Sequence, residues 1–331
     1  MSVLISLLAV VILYLAAYLA AGAGLEMVFG VVFSYLAIIL FVGGLIYKVI
    51  SWANIPVPFR IPTTSGQGKS LPWIKQNKLD NPSDKKGVIG RMTLEVLAFR
   101  SLLKNTKSEL TSDGRVVYAS SLGLWLGSIA FHYSLLVILV RHLRLFDEPV
   151  PRFVLFAQGL DGFLQIGAPV FYITSFVFPA ALGYLLLRRL LNPMNRYISL
   201  ANDYFPLFLL LGIGISGFWL RYISKTDVVG IKELAVGLVS LKPVVPEGIN
   251  PLFYGHLFLV NVLLAYFPIS KLMHMPGVFL SPTRNQANNN RMVRHVNPWD
   301  YPVKVHTYEE YEDEFRDKMI GAGVPVEKEQ S

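Results

Sequence analysis

Six histidines are the residues of this 331-residue chain best suited to redox or acid–base chemistry, because it contains no cysteine. Without thiolates, the chain can hold no disulfide, Cys-ligated iron–sulfur cluster, thiolate metal site or covalently attached c-type haem. Any redox group must be held by other ligands. His132 and His142 lie ten residues apart in one long apolar stretch, and His256 and His274 lie eighteen apart in another. Ionisable residues inside a bilayer are expensive and mark function by default, and imidazole is a common axial ligand of haem iron. Two pairs on two helices point to two haems b. The same residues are compatible with a proton-coupled transporter that uses them as a relay, or with a cofactor-free membrane anchor whose histidines hydrogen-bond neighbouring helices. No inverted repeat or matched pair of broken helices supports the transporter.

The elements that must position these histidines are membrane helices. Hydrophobic residues make up 53% of the chain and charged residues 16%, against roughly 25% charged in soluble proteins. Six stretches approach the ~20 apolar residues that a bilayer core requires: Val3–Ala21, Val28–Trp52, Val117–Leu145, Phe163–Leu187, Phe205–Ile223 and Leu252–Met275. No Lys or Arg precedes the first, and its apolar run exceeds that of a signal peptide, so an uncleaved helix is expected. The segment Ser51–Arg115 holds eleven Lys or Arg, the tail after Met275 holds seven, and the turn after the fourth span carries Arg188, Arg189 and Arg196. The Gly22–Glu26 turn has none. The positive-inside rule places the basic segments and both termini in the cytoplasm of a multi-pass protein of the cell membrane. The net charge of +8 is then a topology signal and not a nucleic-acid surface, since no basic and aromatic binding module accompanies it. The expected fold is all-α: two N-terminal transmembrane helices (1–52), a cytoplasmic loop (53–116), a four-helix haem-binding region (117–275) and a cytoplasmic tail (276–331).

With alternating spans, the third and sixth run antiparallel. His142 is then level with His256, while His132 and His274 lie further toward the cytoplasm. Ten residues rise about 15 Å and eighteen about 27 Å, leaving a mismatch of about 12 Å to be absorbed by tilt and by a kink at Pro268. Eighteen residues return to the same helix face, whereas ten leave a rotation of about 80°. Gly123 and Gly127 before His132, and Gly212, Gly214 and Gly217 on the fifth span, either let helices pack closely or leave room for a flat macrocycle. Arg141, Arg144 and Arg221 near the outer helix ends and Lys271 near the inner end are placed to pair with haem propionates or to snorkel to the headgroups.

Outside the spans, residues 86–107 carry Met92, Val96, Phe99 and Leu103 at helical spacing, which predicts an amphipathic helix on the headgroups or on a partner. Gly68-Lys69-Ser70 is not a phosphate loop, because Thr63 stands where the first glycine belongs and no strand precedes it. The longest outer loop is 224–250. His295 and His306 in the tail lack metal-like spacing. With Trp299 and Tyr301 they suggest a docking surface for a cytoplasmic subunit.

The ten-and-eighteen histidine spacing resembles that of the di-haem cytochrome b subunits of respiratory nitrate reductases, the gamma-subunit family. The strings IPTTSGQ at 61–67 and RHVNPWDYPVKVHTYEEYEDEFRDKM at 294–319, with the added first helix, resemble the DsrM and HmeC type of membrane cytochrome over nearly the whole chain. That resemblance implies His142 and His256 as ligands of the outer haem b, and His132 and His274 as ligands of the inner one. It also implies menaquinone as the membrane substrate near the outer haem, and a cytoplasmic iron–sulfur subunit of the DsrK type, related to heterodisulfide reductase, as the electron partner. Further membrane and extracytoplasmic redox subunits and a place in sulfur or sulfate respiration go with it. The chain would be a subunit of a quinone-linked oxidoreductase, with the terminal chemistry in its partners and no catalytic residue assigned here. The nitrate reductase relatives place a lysine shortly after the outer ligand, but this chain has none between Lys107 and Lys225. Arg144, Arg152, Gln158 and Asp161 are the quinone-site candidates in its place.

Overall fold

A computed structural model describes residues 1–55, 67–104, 107–167, 169–281, 283–289, 302 and 304–327. Of the string at 61–67 only Gln67 is described, and the start of the string at 294–319 lies outside these residues, with His295, Trp299 and Tyr301. In chain order the helices are α1 (Ser2–Gly22), α2 (Phe33–Ala53, entered through a π turn at Val28–Val32), α3 (Lys85–Ala98), α4 (Arg100–Leu103), α5 (Leu122–His142), α6 (Arg152–Asp161), α7 (Ile173–Leu191), α8 (Pro193–Ile198), α9 (Ala201–Tyr222), α10 (Val228–Val239), α11 (Pro251–Tyr266), α12 (His274–Leu280) and α13 (Tyr308–Gly321). Two short antiparallel hairpins complete the described residues, β1 (Lys107–Leu110) with β2 (Val116–Ala119) and β3 (Gly162–Leu164) with β4 (Phe171–Tyr172). Six helices are long and apolar enough to cross a membrane: α1, α2 with its π turn, α5, α7, α9 and α11.

The span boundaries differ from those expected, each for a local reason. The third span opens at Leu122, not Val117, because 116–119 pairs as a strand. The fourth opens at Ile173, not Phe163, because 162–172 turns back as a hairpin through Gly167, whose φ is +72°. The sixth ends at Ile269 instead of running to Met275. Pro268 has no N–H to continue the ladder, and the Ser270 hydroxyl caps a new turn by accepting from Leu272 N at 3.1 Å. His274 therefore stands on the separate helix α12. The expected amphipathic helix 86–107 is cut at Phe99, whose backbone is left-handed, into α3 and α4. The outer loop 224–250 contains α10, capped by Asp227.

Helix α1 packs between α9 and α11, α2 packs on α11, and α7 bridges α5 to α9. Ser6 donates to Ala201 O and Tyr14 reaches Leu252 O, so α1 runs parallel to α9 and antiparallel to α11. At one end of the bundle, Arg284 of the tail pairs with Glu95 of α3 and Lys271 pairs with Asp203 of α9. The basic segments thus gather on one face. Asp80 on that face takes hydrogen bonds from Arg100, Lys104 and Asn77. Burial opposes its ionisation, but these partners outweigh burial and hold the carboxyl down to about 2. Its contribution to stability is therefore full above the ordinary carboxylate range and is lost only as pH falls through about 2.

The glycines before His132 serve helix packing. A Cβ on Gly127 would lie 2.7 Å from Tyr184 Cδ1 of α7, and one on Gly123 would lie 2.3 Å from the Tyr184 hydroxyl. Gly127→Ala is expected to lower the unfolding temperature in detergent by the equivalent of about 1–3 kcal/mol, the usual range for overpacking. Adding Tyr184→Leu should restore most of it. Equal melting of Gly127→Ala and wild type would show that the helices part without penalty.

Candidate functional site

The four histidines His132, His142, His256 and His274 are held in related ways. His132 Nδ1 lies 2.8 Å from Ser128 O, His142 Nδ1 2.7 Å from Ile138 O, and His274 Nδ1 2.8 Å from Lys271 O. A carbonyl only accepts, so each Nδ1 carries a proton, and in the neutral form the lone pair is left on Nε2. His256 is held by a side chain instead. Its Nδ1 is 2.9 Å from Ser216 Oγ of α9, and that hydroxyl donates to Gly212 O at 2.6 Å. A Cβ on Gly217 would come within 3.1 Å of His256 Cε1, so glycine is what lets α9 approach the ring. A tied Nδ1–H with a free Nε2 is how metal-binding histidines are oriented.

Two of the rings meet. The centroids of His132 and His274 are 6.1 Å apart, with their planes at 88°. Two imidazole nitrogens each ~2 Å from one metal ion set their ring centres about 6 Å apart, using the usual metal–nitrogen bond length. The break after α11 lets the chain turn so that His274 reaches this position, which a continuous helix eighteen residues from His256 would overshoot. His142 and His256 are close enough to interact electrostatically, and Arg141 and Arg221 act on His142 in the same way. Among the described residues no group of three His, Asp or Glu gathers, so neither pair forms a cage for a bare ion. A two-nitrogen set fits iron whose other four ligands belong to a macrocycle. Helices α5 and α11 do not pack closely on each other. Each is joined to the bundle through neighbours, α5 through α7 and α11 through α9 and α1.

Three of the charged residues expected around the haems, Arg141, Arg221 and Lys271, have partners within the chain. Arg141 is paired with Asp161 in a buried bridge, their side chains 9% and 3% exposed. Thr174 completes the unit, donating its N–H to Asp161 Oδ1 at 2.9 Å and its hydroxyl to Oδ2 at 2.6 Å. The guanidinium carbons of Arg141 and Arg221 lie 3.7 and 4.4 Å from the centroid of Tyr172, and Arg221 donates to Val170 O. Asp161, a quinone-site candidate, and Arg141, a propionate candidate, therefore hold α5, α6 and the start of α7 together. Arg144 sits half-buried on the 3-10 turn after α5, Arg152 is exposed on the first turn of α6, and Gln158 is half-buried further along α6. Lys271 pairs with Asp203 at 2.5 Å; its carbonyl, not its charge, serves His274. In the tail, His306 Nδ1 is 3.7 Å from Glu314.

Ser216, Tyr172 and Thr174 were not singled out from the sequence, and Phe99 was read only as an apolar position of the amphipathic helix. Ser216 precedes its histidine by forty residues, and no local spacing connects them. The clue for Phe99 is weaker still, since an aromatic at a helical position looks like any other apolar residue.

Residues 93–294 match the family model described as nitrate reductase gamma subunit, a segment that contains all four histidines. A protein of Archaeoglobus fulgidus named "Hdr-like menaquinol oxidoreductase cytochrome b-like subunit" is 47% identical over 280 residues, covering 82% of this chain and 83% of the relative. A protein of the same name from Archaeoglobus profundus is 42% identical over 273 residues, covering 80% and 81%. The match spans the histidine-bearing helices and the relatives extend over most of the chain, so this multi-pass membrane protein belongs to the nitrate reductase gamma-subunit family.

Proposed function

We propose that the chain is the di-haem b subunit of a quinone-linked oxidoreductase, passing electrons between menaquinol in the membrane and a cytoplasmic iron–sulfur subunit of the DsrK type. The observation that carries this reading is the way the four histidines are held, three with Nδ1 against a backbone carbonyl and His256 against Ser216, together with the 6.1 Å approach of the His132 and His274 rings. His132 with His274 would hold one haem and His142 with His256 the other. When bound, the haems supply one-electron carriers at two levels of the apolar barrier. A relay reading is less well served, because a relay histidine must exchange protons at both nitrogens, and in His132, His142 and His274 Nδ1 is committed to a backbone carbonyl.

By the positive-inside rule the basic face is cytoplasmic, which puts His132 and His274 on the inner side. Menaquinol oxidised at the opposite end gives up two electrons and two protons, and protons released there leave outside. Arg144, Arg152 and Gln158 at that end are the polar groups we assign to the quinone, with Asp161 acting through the bridge to Arg141. The names of the archaeal relatives support menaquinol as substrate, and without cysteine the chain holds no Cys-ligated iron–sulfur cluster of its own. Sulfur or sulfate respiration follows from the DsrM resemblance.

A reduced-minus-oxidised spectrum of the purified protein tests the reading. Two haems b per chain by pyridine haemochrome are expected; absence of b-type bands overturns it. A second expectation concerns Ser216. Loss of a hydrogen bond to a ligand's far nitrogen typically costs 10–100-fold in metal affinity, so Ser216→Ala should deplete the His142/His256 haem on dilution and leave the other intact. Equal retention of both haems would show that the hydroxyl does not orient His256.

A further inference from the structure

Phe99 is the one non-glycine residue that breaks α3 from α4 with a left-handed backbone, φ 48° and ψ 43°. That conformation is unfavourable for a residue with a Cβ and persists only where its surroundings hold it. The surroundings are identifiable. The last carbonyls of α3, which lack helical partners, accept from α5: Leu97 O from the Tyr133 hydroxyl at 2.7 Å and Ala98 O from Trp125 Nε1 at 2.8 Å. On the far side, Arg100 is tied to Asp80, with Nη2 at 3.3 Å from Oδ2. The result is to set the Phe99 ring edge-on against His132, centroids 5.0 Å apart and planes at 80°. Phe131 makes a second such contact at 4.6 Å. With Nδ1 bonded to Ser128 O, the His132 ring is held by two aromatic contacts and one hydrogen bond, at 88° to His274.

We propose that Phe99 is a positioning residue, which uses a strained loop backbone to fix the plane of the His132 imidazole perpendicular to that of His274 and so sets the electronic state of the inner haem. The inference rests on the haem reading above. The plane angle has a spectroscopic signature. Perpendicular axial imidazoles bring two iron d orbitals close to degeneracy, and the ferric low-spin EPR signal becomes highly anisotropic, with a large gmax. A ring free to turn gives the ordinary rhombic signal. The same residue links the loop on the basic face, where a partner subunit would dock, to a ligand of the haem nearest that partner.

The test is EPR and potentiometric titration of the membrane-extracted holoprotein carrying Phe99→Ala, Phe99→Gly or Tyr133→Phe. The inner signal is identified as the one lost in His274→Ala. Wild type should show that signal as highly anisotropic. Phe99→Ala should move it toward the rhombic form and shift the midpoint potential of that haem alone. Phe99→Gly relieves the backbone while removing the ring, so it should give the same spectral change with the fold retained even if Phe99→Ala is poorly folded. Tyr133→Phe should give a smaller change in the same direction. An unchanged inner signal and potential in Phe99→Gly with both haems present overturns the proposal and leaves the haem reading standing. A wild type without b-type haem overturns both.

Discussion

Alanine at His142 is expected to remove one haem and half of the b-type absorbance, and alanine at His256 should remove the same one. Alanine at His132 or His274 should each remove the other. The grouping follows from geometry. His132 and His274 are 6.1 Å apart centre to centre, while His142, ten residues on, is about 15 Å further along its helix at the standard rise. His142 cannot share a metal with His274. Each ring would offer Nε2 as a ligand atom, so the loss of either partner would take away one of the two residues that hold that haem. Pyridine haemochrome content and redox difference spectra of the four variants decide the matter. If instead His132 and His142 form one group and His256 and His274 the other, each haem lies along a single helix and the cross-helix pairing is wrong. Loss of both haems from every variant would mean that the sites fold only together.

Much of this arrangement was legible in the sequence because intramembrane histidine is costly and therefore informative. The six spans followed from hydropathy, and alternation of direction led to the expectation that His132 lies level with His274, whose rings are 6.1 Å apart. What escaped was the consequence of local breaks. Pro268 was expected to kink a helix, but together with the Ser270 cap it ends the span, and this places His274 on α12. The mismatch of about 12 Å expected from helical rise assumed a continuous helix, and it lapses where the chain bends. Gly123 and Gly127 could have made room for a macrocycle or for a helix, and only the position of Tyr184 shows that they receive a side chain. Asp161 was considered for its charge, and its partner, twenty residues earlier, meets it only because α6 folds back against α5. Such pairings depend on the turn geometry of 143–172, which hydropathy does not describe.

Asp161→Leu is expected to be the most destabilising single change at the end of the bundle opposite the basic face. The bridge to Arg141 is buried on both sides, and removing one partner of such a pair costs about 3–5 kcal/mol because the remaining charge is left without compensation. Thr174 would also lose the acceptor for its N–H and its hydroxyl. Asp161→Asn keeps an oxygen for Thr174 but not the charge, so it should fall between wild type and Asp161→Leu. The double variant Arg141→Met with Asp161→Leu should recover most of the loss, since apolar replacement of a whole buried pair is often close to neutral. Thermal unfolding of the detergent-solubilised protein orders the four. Electrostatics adds a second readout that packing does not supply. Arg141 and Arg221 both act on His142, and without the Asp161 carboxylate their positive field at that ring is no longer offset. An added electron is stabilised by nearby positive charge, so Asp161→Asn should raise the midpoint potential of the haem lost in His142→Ala and leave the other where it is. Equal shifts in both haems would place the effect in the fold, and no shift in either would mean that the bridge is electrically remote from His142.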